Sequence, residues 1–401
     1  MKEIKWYEEG NMMKYRADAE TMSIQNRIFY DGRETWLRQV HIAGVPEEVF
    51  DISMKDGRFH EIRKTPKEAG EKLWIAPGLI DLHFHAGWTD FIHSVQEKRT
   101  AKEVRSMVRN EMGRLLRTGV TMFRDAGGLE EEDWQECFQD SRDGDVFPDA
   151  VLCADMIPAR DKIDYERLSA VFESRQKWVK VMATGGVSTE TEHVLESGVP
   201  EAELKKLIES LHAHGKKVMV HTWGGPVLDW IIDVDVDSVE HGIFMTRKQA
   251  ERMARKHIPY VATTRIYQMI AAGEEPLVLP PFLRDRAKAA CAAHGKAVGY
   301  ALEEGVEIGF GTDFYSGDNL IPNELEELFS LQEYGMSVSQ AWKSATETAA
   351  HILGLSATHG KIAEGYAADA VLYGADPYKA SSAAALRGSI RVVFKNGQQV
   401  S

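Results

Sequence analysis

Between residues 76 and 360 the chain alternates short apolar runs with amphipathic stretches. The apolar runs read as buried strands ending near His85, Asp125, Met156, Met182, His221, His241, Thr264 and Asp313. Helices fill the gaps. Thr100-Ala-Lys-Glu103 is a capping box, and Val104, Met107, Val108, Met112, Leu115 and Leu116 follow on one helical face. Gly119 is placed as a C-terminal stop. Leu204, Leu207, Ile208 and Leu211 repeat the pattern, closed by Gly215. Eight strands alternating with helices predict an α/β fold, specifically a closed (β/α)8 TIM barrel. A doubly wound open sheet is the competitor, but no Gly-rich phosphate loop follows the first strand.

The two ends carry a different pattern. Residues 51–63 alternate about Asp56-Gly57, a hairpin signal. Ala370-Val-Leu-Tyr373 and the stretch from Ile390 to Val400, turning at Asn396-Gly397, read the same way. Residues 1-75 plus 361-401 are therefore expected to form one small β-sandwich domain beside a 76-360 barrel.

Composition removes several function classes. Of 401 residues, 48 are Lys or Arg and 62 are Asp or Glu, for a net charge of −14. That balance argues against nucleic-acid partners and against an anionic membrane surface. The three cysteines, Cys137, Cys153 and Cys291, form no CxxC pair, so neither disulfides nor a zinc-thiolate site is expected. No apolar run reads as a signal peptide or a membrane span, which makes a cytoplasmic enzyme the expectation.

The predicted strand ends carry an unusual set of side chains. In Leu82-His83-Phe84-His85 the period of two puts both imidazoles on one face, where they can share a metal ion. Lys180, flanked by valines, should face the interior, where burial favours its neutral amine. A neutral amine there can take up carbon dioxide and become a carbamate; the plainer alternative is a lysine paired with a carboxylate. His221, His241 and Asp313 end further strands. Singly, each histidine reads as a satisfied core residue and Asp313 as a helix cap. Six such groups, all on strand ends, are a constellation that packing has no reason to produce.

This constellation resembles the amidohydrolase superfamily. The stretches that carry the likeness are Pro77-Gly-Leu-Ile-Asp-Leu-His83-Phe-His85, Lys180-Val-Met-Ala-Thr-Gly-Gly186, Ser238-Val-Glu-His241-Gly and Gly311-Thr-Asp313. Phe123-Arg-Asp-Ala-Gly-Gly128 makes it most similar to the imidazolonepropionase-like and Xaa-Pro dipeptidase (prolidase) branch. The resemblance implies two divalent metal ions, zinc first, with manganese, cobalt or iron as alternatives. His83, His85 and Asp313 would hold the more buried ion and His221 and His241 the second, with an N6-carboxylysine at Lys180 bridging them. Asp313 would move the proton while a bridging hydroxide cleaves a C–N amide bond in an Xaa-Pro dipeptide or an N-acyl amino acid. A cyclic amide, a lactone or an organophosphate ester could use the same centre. Ring deamination is disfavoured, because deaminases of the superfamily place a Glu where this chain has Gly224.

Two departures bear on the substrate. The branch's dipeptidases carry a longer His-containing loop after strand three, and a Tyr where this chain has Trp223. Arg265 is the first choice for a bidentate carboxylate clamp, with Tyr267, Arg124, Arg160, Trp223 and His193 as further substrate contacts. The expected partner is a small carboxylate-bearing molecule, and by analogy the chain is expected to self-associate as a homo-oligomer.

Overall fold

The computed structural model describes residues 6–9, 12–15, 27–66, 72–90, 98–139, 146–159, 163–187, 194–274, 279–317 and 323–400. Parallel strands and helices alternate through its middle. The strands are β1 (Leu79–His85), β2 (Val120–Asp125), β3 (Asp149–Val151 with Cys153–Pro158) and β4 (Trp178–Met182). Then come β5 (Lys217–Gly224), β6 (Ser238–Phe244), β7 (Tyr260–Val261) and β8 (Ile308–Gly309 with Phe314–Tyr315). Hydrogen bonding divides them into a four-stranded and a six-stranded sheet. Both divisions fall inside a single segment, at Leu152 in β3 and at residues 310–313 in β8. Across the second one Leu82 N donates to Phe310 O at 2.9 Å and Asp313 N to His83 O at 2.7 Å. The pairing order thus runs from β1 through β8 and returns to β1.

The helices form for the reasons their sequences give. In Ala101–Arg117, Glu103 N donates to Thr100 Oγ1 at 3.3 Å and Thr100 N to Glu103 Oε2 at 2.7 Å, satisfying two end groups reciprocally. Met107, Val108, Met112, Leu115 and Leu116 are its buried face. Glu201–Ala213 buries Leu204, Leu207, Ile208 and Leu211, each contributing roughly 1.5–3 kcal/mol by leaving water.

One expectation requires correction. Strand seven was expected to end near Thr264; instead β7 ends at Val261 and Thr264–Ala272 is a helix. Buried Glu327 stands at its start, its carboxylate accepting Thr264 N at 2.9 Å and Arg265 N at 2.6 Å. His294 sits inside the 24-residue helix Pro281–Glu304 and is fully buried.

Segments from both ends form an eight-stranded sheet, running from Ile28–Tyr30 to Leu73–Pro77 and again from Ala370–Tyr373 to Gln398–Val400. Where a sandwich was expected, the hydrogen bonding makes one continuous sheet. It curls until Arg58 bridges Ala367, enclosing Leu37, Ile52, Phe59, Ile75, Leu372 and Phe394. Asp56-Gly57 (φ 50° and 76°) and Asn396-Gly397 (φ 50° and 73°) take the left-handed turn that such hairpins need. Buried Lys395 joins this sheet to the middle, donating to Asp369 at 2.9 Å and Asp149 at 2.7 Å. No helix among the described residues is long and apolar enough to cross a membrane.

Candidate metal centre

The structure brings the six strand-end side chains together. His83 and His85, two residues apart on β1, direct both Nε2 atoms at Asp313 Oδ1, at 3.3 and 3.2 Å. Lys180 Nζ lies 3.0 Å from His83 Nε2. His241 Nδ1 stands 3.8 Å from Asp313 Oδ2 and 2.7 Å from Thr263 Oγ1. The His221 ring is 4.5 Å from that of His241, with its Nε2 3.1 Å from Gly185 O. His83, His241 and Asp313 each offer a ligand atom within 4.8 Å of the others.

The backbone is bent to achieve this. His241, Thr263 and Asp313 are all left-handed, with φ of 68°, 56° and 58°, at a cost of roughly 1–2 kcal/mol each. Gly311 permits the approach of β8: a Cβ there would lie 2.4 Å from Val261 Cγ1 and 2.9 Å from His83 Cβ.

Burial sets the protonation states. It pushes His85 down to about 4 and His221 to about 3, and takes His241 well below the usual imidazole range. Burial also lowers Lys180, against the opposing pull of Glu240 and Asp313. Burial would raise Asp313, but His83 and His85 outweigh it and hold that carboxyl well below its ordinary range. Imidazole nitrogens, a carboxylate and a depressed-pKa amine form a donor set that fits divalent metal cations.

The expected substrate contacts fare differently. Arg124 is a correction: fully buried, it donates Nε to Leu82 O at 2.7 Å, Nη1 to Ser238 Oγ at 3.1 Å and Nη2 to Glu240 Oε1 at 2.9 Å. It also lies over the Trp178 ring at 4.4 Å, so it braces the floor and is not available to a substrate. Arg265 is another correction, its guanidinium already held by the Glu326 and Glu274 carboxylates at 2.6 Å each. Trp223 and Tyr267 stand together with ring centroids 5.6 Å apart, Tyr267 lying 6.0 Å from His241. Arg160 and His193 lie outside the described residues.

Sequence reading passed over three residues around the centre. Glu240 Oε2 meets His83 Nδ1 at 2.5 Å. Strict alternation puts Glu240 and His241 on opposite faces, but the left-handed φ of His241 breaks it and both reach the cluster. Trp88 stacks on His85 with centroids 3.6 Å apart and planes 5° from parallel. Asp81 accepts from His83 N at 3.0 Å and Thr312 Oγ1 at 2.6 Å, and burial raises its carboxyl to about 7.

Parallel α/β proteins place their chemistry at the carboxyl ends of their strands, and this cluster stands among the strands of such a sheet. The chain belongs to the amidohydrolase family, whose sequence pattern matches residues 74–400. It is similar to an ochratoxinase of Aspergillus niger, 32% identical over 203 residues, which span 50% of this chain and 41% of that protein. The imidazolonepropionase of Chromobacterium violaceum is 25% identical over 385 residues, covering 86% of this chain and 85% of that one. Among solved structures, a prolidase complexed with N-methylphosphonate-L-proline superposes with a TM-score of 0.77 at 19% identity, covering 91% of this chain and 98% of that one. A Xaa-Pro dipeptidase with bound methionine gives 0.76 at 19% identity, with the same coverage. These superpositions establish the fold.

Proposed function

We propose that this chain is a metal-dependent hydrolase of C–N amide bonds, acting on an Xaa-Pro dipeptide or an N-acyl amino acid. The observation that carries the reading is the convergence of His83, His85, Lys180 and Asp313 side-chain atoms at 3.0–3.3 Å, deep in the molecule. We read the returning strand order as a closed (β/α)8 barrel with its site at the carboxyl mouth.

His83, His85 and Asp313 would hold one divalent cation and His221 and His241 the second, with Lys180 between them. When bound, the ions supply Lewis acidity toward the amide carbonyl and a water that ionises near neutral pH. Lys180, whose neutral form burial favours, would add to carbon dioxide: its nitrogen bonds the carbon, one C=O π pair moves onto oxygen, and the displaced N–H proton passes to water, leaving a carbamate anion. Asp313 accepts a proton from water at its carboxylate and passes it to the leaving nitrogen. Trp223 and Tyr267, both buried, pack on each other and back His241.

The support for an amino-acid substrate is the two solved relatives, one holding a proline phosphonate and one a methionine. A second reading, cleavage of a cyclic amide, draws on the imidazolonepropionase likeness over most of both chains. Metal-loaded protein assayed against dipeptides, N-acyl amino acids and cyclic amides separates the two. Turnover of the linear acids supports the first reading, and turnover confined to cyclic amides replaces it with the second. Activity confined to lactones or phosphoesters overturns both.

A further inference from the structure

The two nitrogens of His83 face different surroundings. Nε2 points to Lys180 at 3.0 Å and Asp313 at 3.3 Å, whereas Nδ1 meets the Glu240 carboxylate at 2.5 Å. Glu240 does not reach the cluster loosely. Its other oxygen accepts from Arg124 Nη2 at 2.9 Å and from Ser238 Oγ, and Arg124 is itself fixed by Leu82 O and by the Trp178 ring. His83, Glu240, Arg124 and Ser238 are all fully buried, so no water competes for these bonds.

We propose that Glu240 is a positioning residue for the metal centre, holding His83 with its proton on Nδ1 so that the Nε2 lone pair faces the ligand cluster. A lone imidazole has two neutral tautomers and a rotating ring, and only one arrangement presents Nε2 as a donor atom. A carboxylate on Nδ1 selects that arrangement, since it can only accept a proton-bearing nitrogen, and it makes the opposite nitrogen a stronger ligand. Arg124 balances the carboxylate's charge, and Ser238 and Arg124 together leave Glu240 Oε2 one available partner, the imidazole. This inference rests on the reading of His83 as a metal ligand.

The test is zinc binding by metal-stripped protein, followed by calorimetry and metal analysis, with nitrogen-15 spectra of the histidines as an independent probe. Wild type should bind zinc, and failure to do so sinks the metal-centre reading itself. Given binding by wild type, Glu240→Gln should weaken affinity roughly 10–100-fold, the usual effect of removing a partner behind a histidine ligand. Ser238→Ala, which removes one hydroxyl and should fold even if Glu240→Gln does not, should weaken it several-fold. In the wild-type spectrum the His83 signal, assigned by its loss in His83→Gln, should show the proton on Nδ1. A merely structural role for Glu240 would leave zinc affinity unmoved in every variant that folds. Wild-type affinity in folded Glu240→Gln or in Ser238→Ala, or an Nε2-protonated His83, overturns the proposal.

Discussion

The floor and the rim of the site are built on opposite plans. On the floor every charge has a buried partner: Arg124 with Glu240, Glu240 with His83, and Asp313 with two histidines. Each of these side chains leaves a strand or its end, so backbone pairing with neighbouring strands fixes where it points. On the rim, by contrast, charge is spent locally. Arg265 is held by two surface-side glutamates, Glu274 and Glu326. The floor is therefore fitted to one chemistry, while Arg265 ties its helix to Glu326 on the helix Leu325–Glu333. On an acidic chain, a carboxylate-bearing substrate needs a local cation, and among the described residues neither Arg124 nor Arg265 is placed to supply it.

The contrast can be broken by substitution. Asp313→Asn should cost roughly 10²–10⁴-fold in turnover, the range of a lost acid–base group, with circular dichroism unchanged. A turnover within a few-fold of wild type would remove Asp313 from the chemistry. Arg124→Met should destabilise the fold by about 3–5 kcal/mol in denaturant unfolding, because it strands the Glu240 charge in the interior. Gly311→Ala should cost about 1–3 kcal/mol, since the new methyl overlaps Val261, and should disturb His83 as well. Arg265→Ala belongs to the rim and should change stability by only about 0–1 kcal/mol, with kcat/KM for any carboxylate substrate nearly unchanged. A large rise in KM there would restore Arg265 as a substrate clamp.

Acid titration sharpens the same comparison. Burial works to raise Glu240, but Arg124 and His83 prevail and bring it from its ordinary 4.5 to about 2. A carboxyl lowered on folding contributes stability above its unfolded pKa and loses it as pH falls through the folded one. That contribution should disappear between about pH 4.5 and 2 in the wild type. Glu240→Gln should show a shallower loss over that window, and an identical slope would contradict the pairing.

Legibility in the sequence followed the same division. The floor's polar side chains stood out because strand periodicity places polar groups where apolar ones are expected, as in His83 and His85 or Lys180 between valines. The capping box at Thr100 and the Asp56-Gly57 and Asn396-Gly397 turns were legible because their chemistry is local. Glu240 was not, since its role depends on a positive φ at His241 that no alternation rule foresees. Arg124 and Arg265 were misplaced because a guanidinium's partner lies far along the chain, at Glu240 and Glu326. The helix opening at Thr264 was hidden for the same reason, its start being met by a glutamate 63 residues away.

The central claim is that these six side chains form a two-ion centre bridged through Lys180. Its most direct test is metal content per chain after loading with zinc and bicarbonate, for wild type beside Lys180→Ala. The account predicts about two ions per wild-type chain, with the variant losing both the second ion and the amide-cleaving activity. One ion or none in the wild type, or two in the variant, would contradict it.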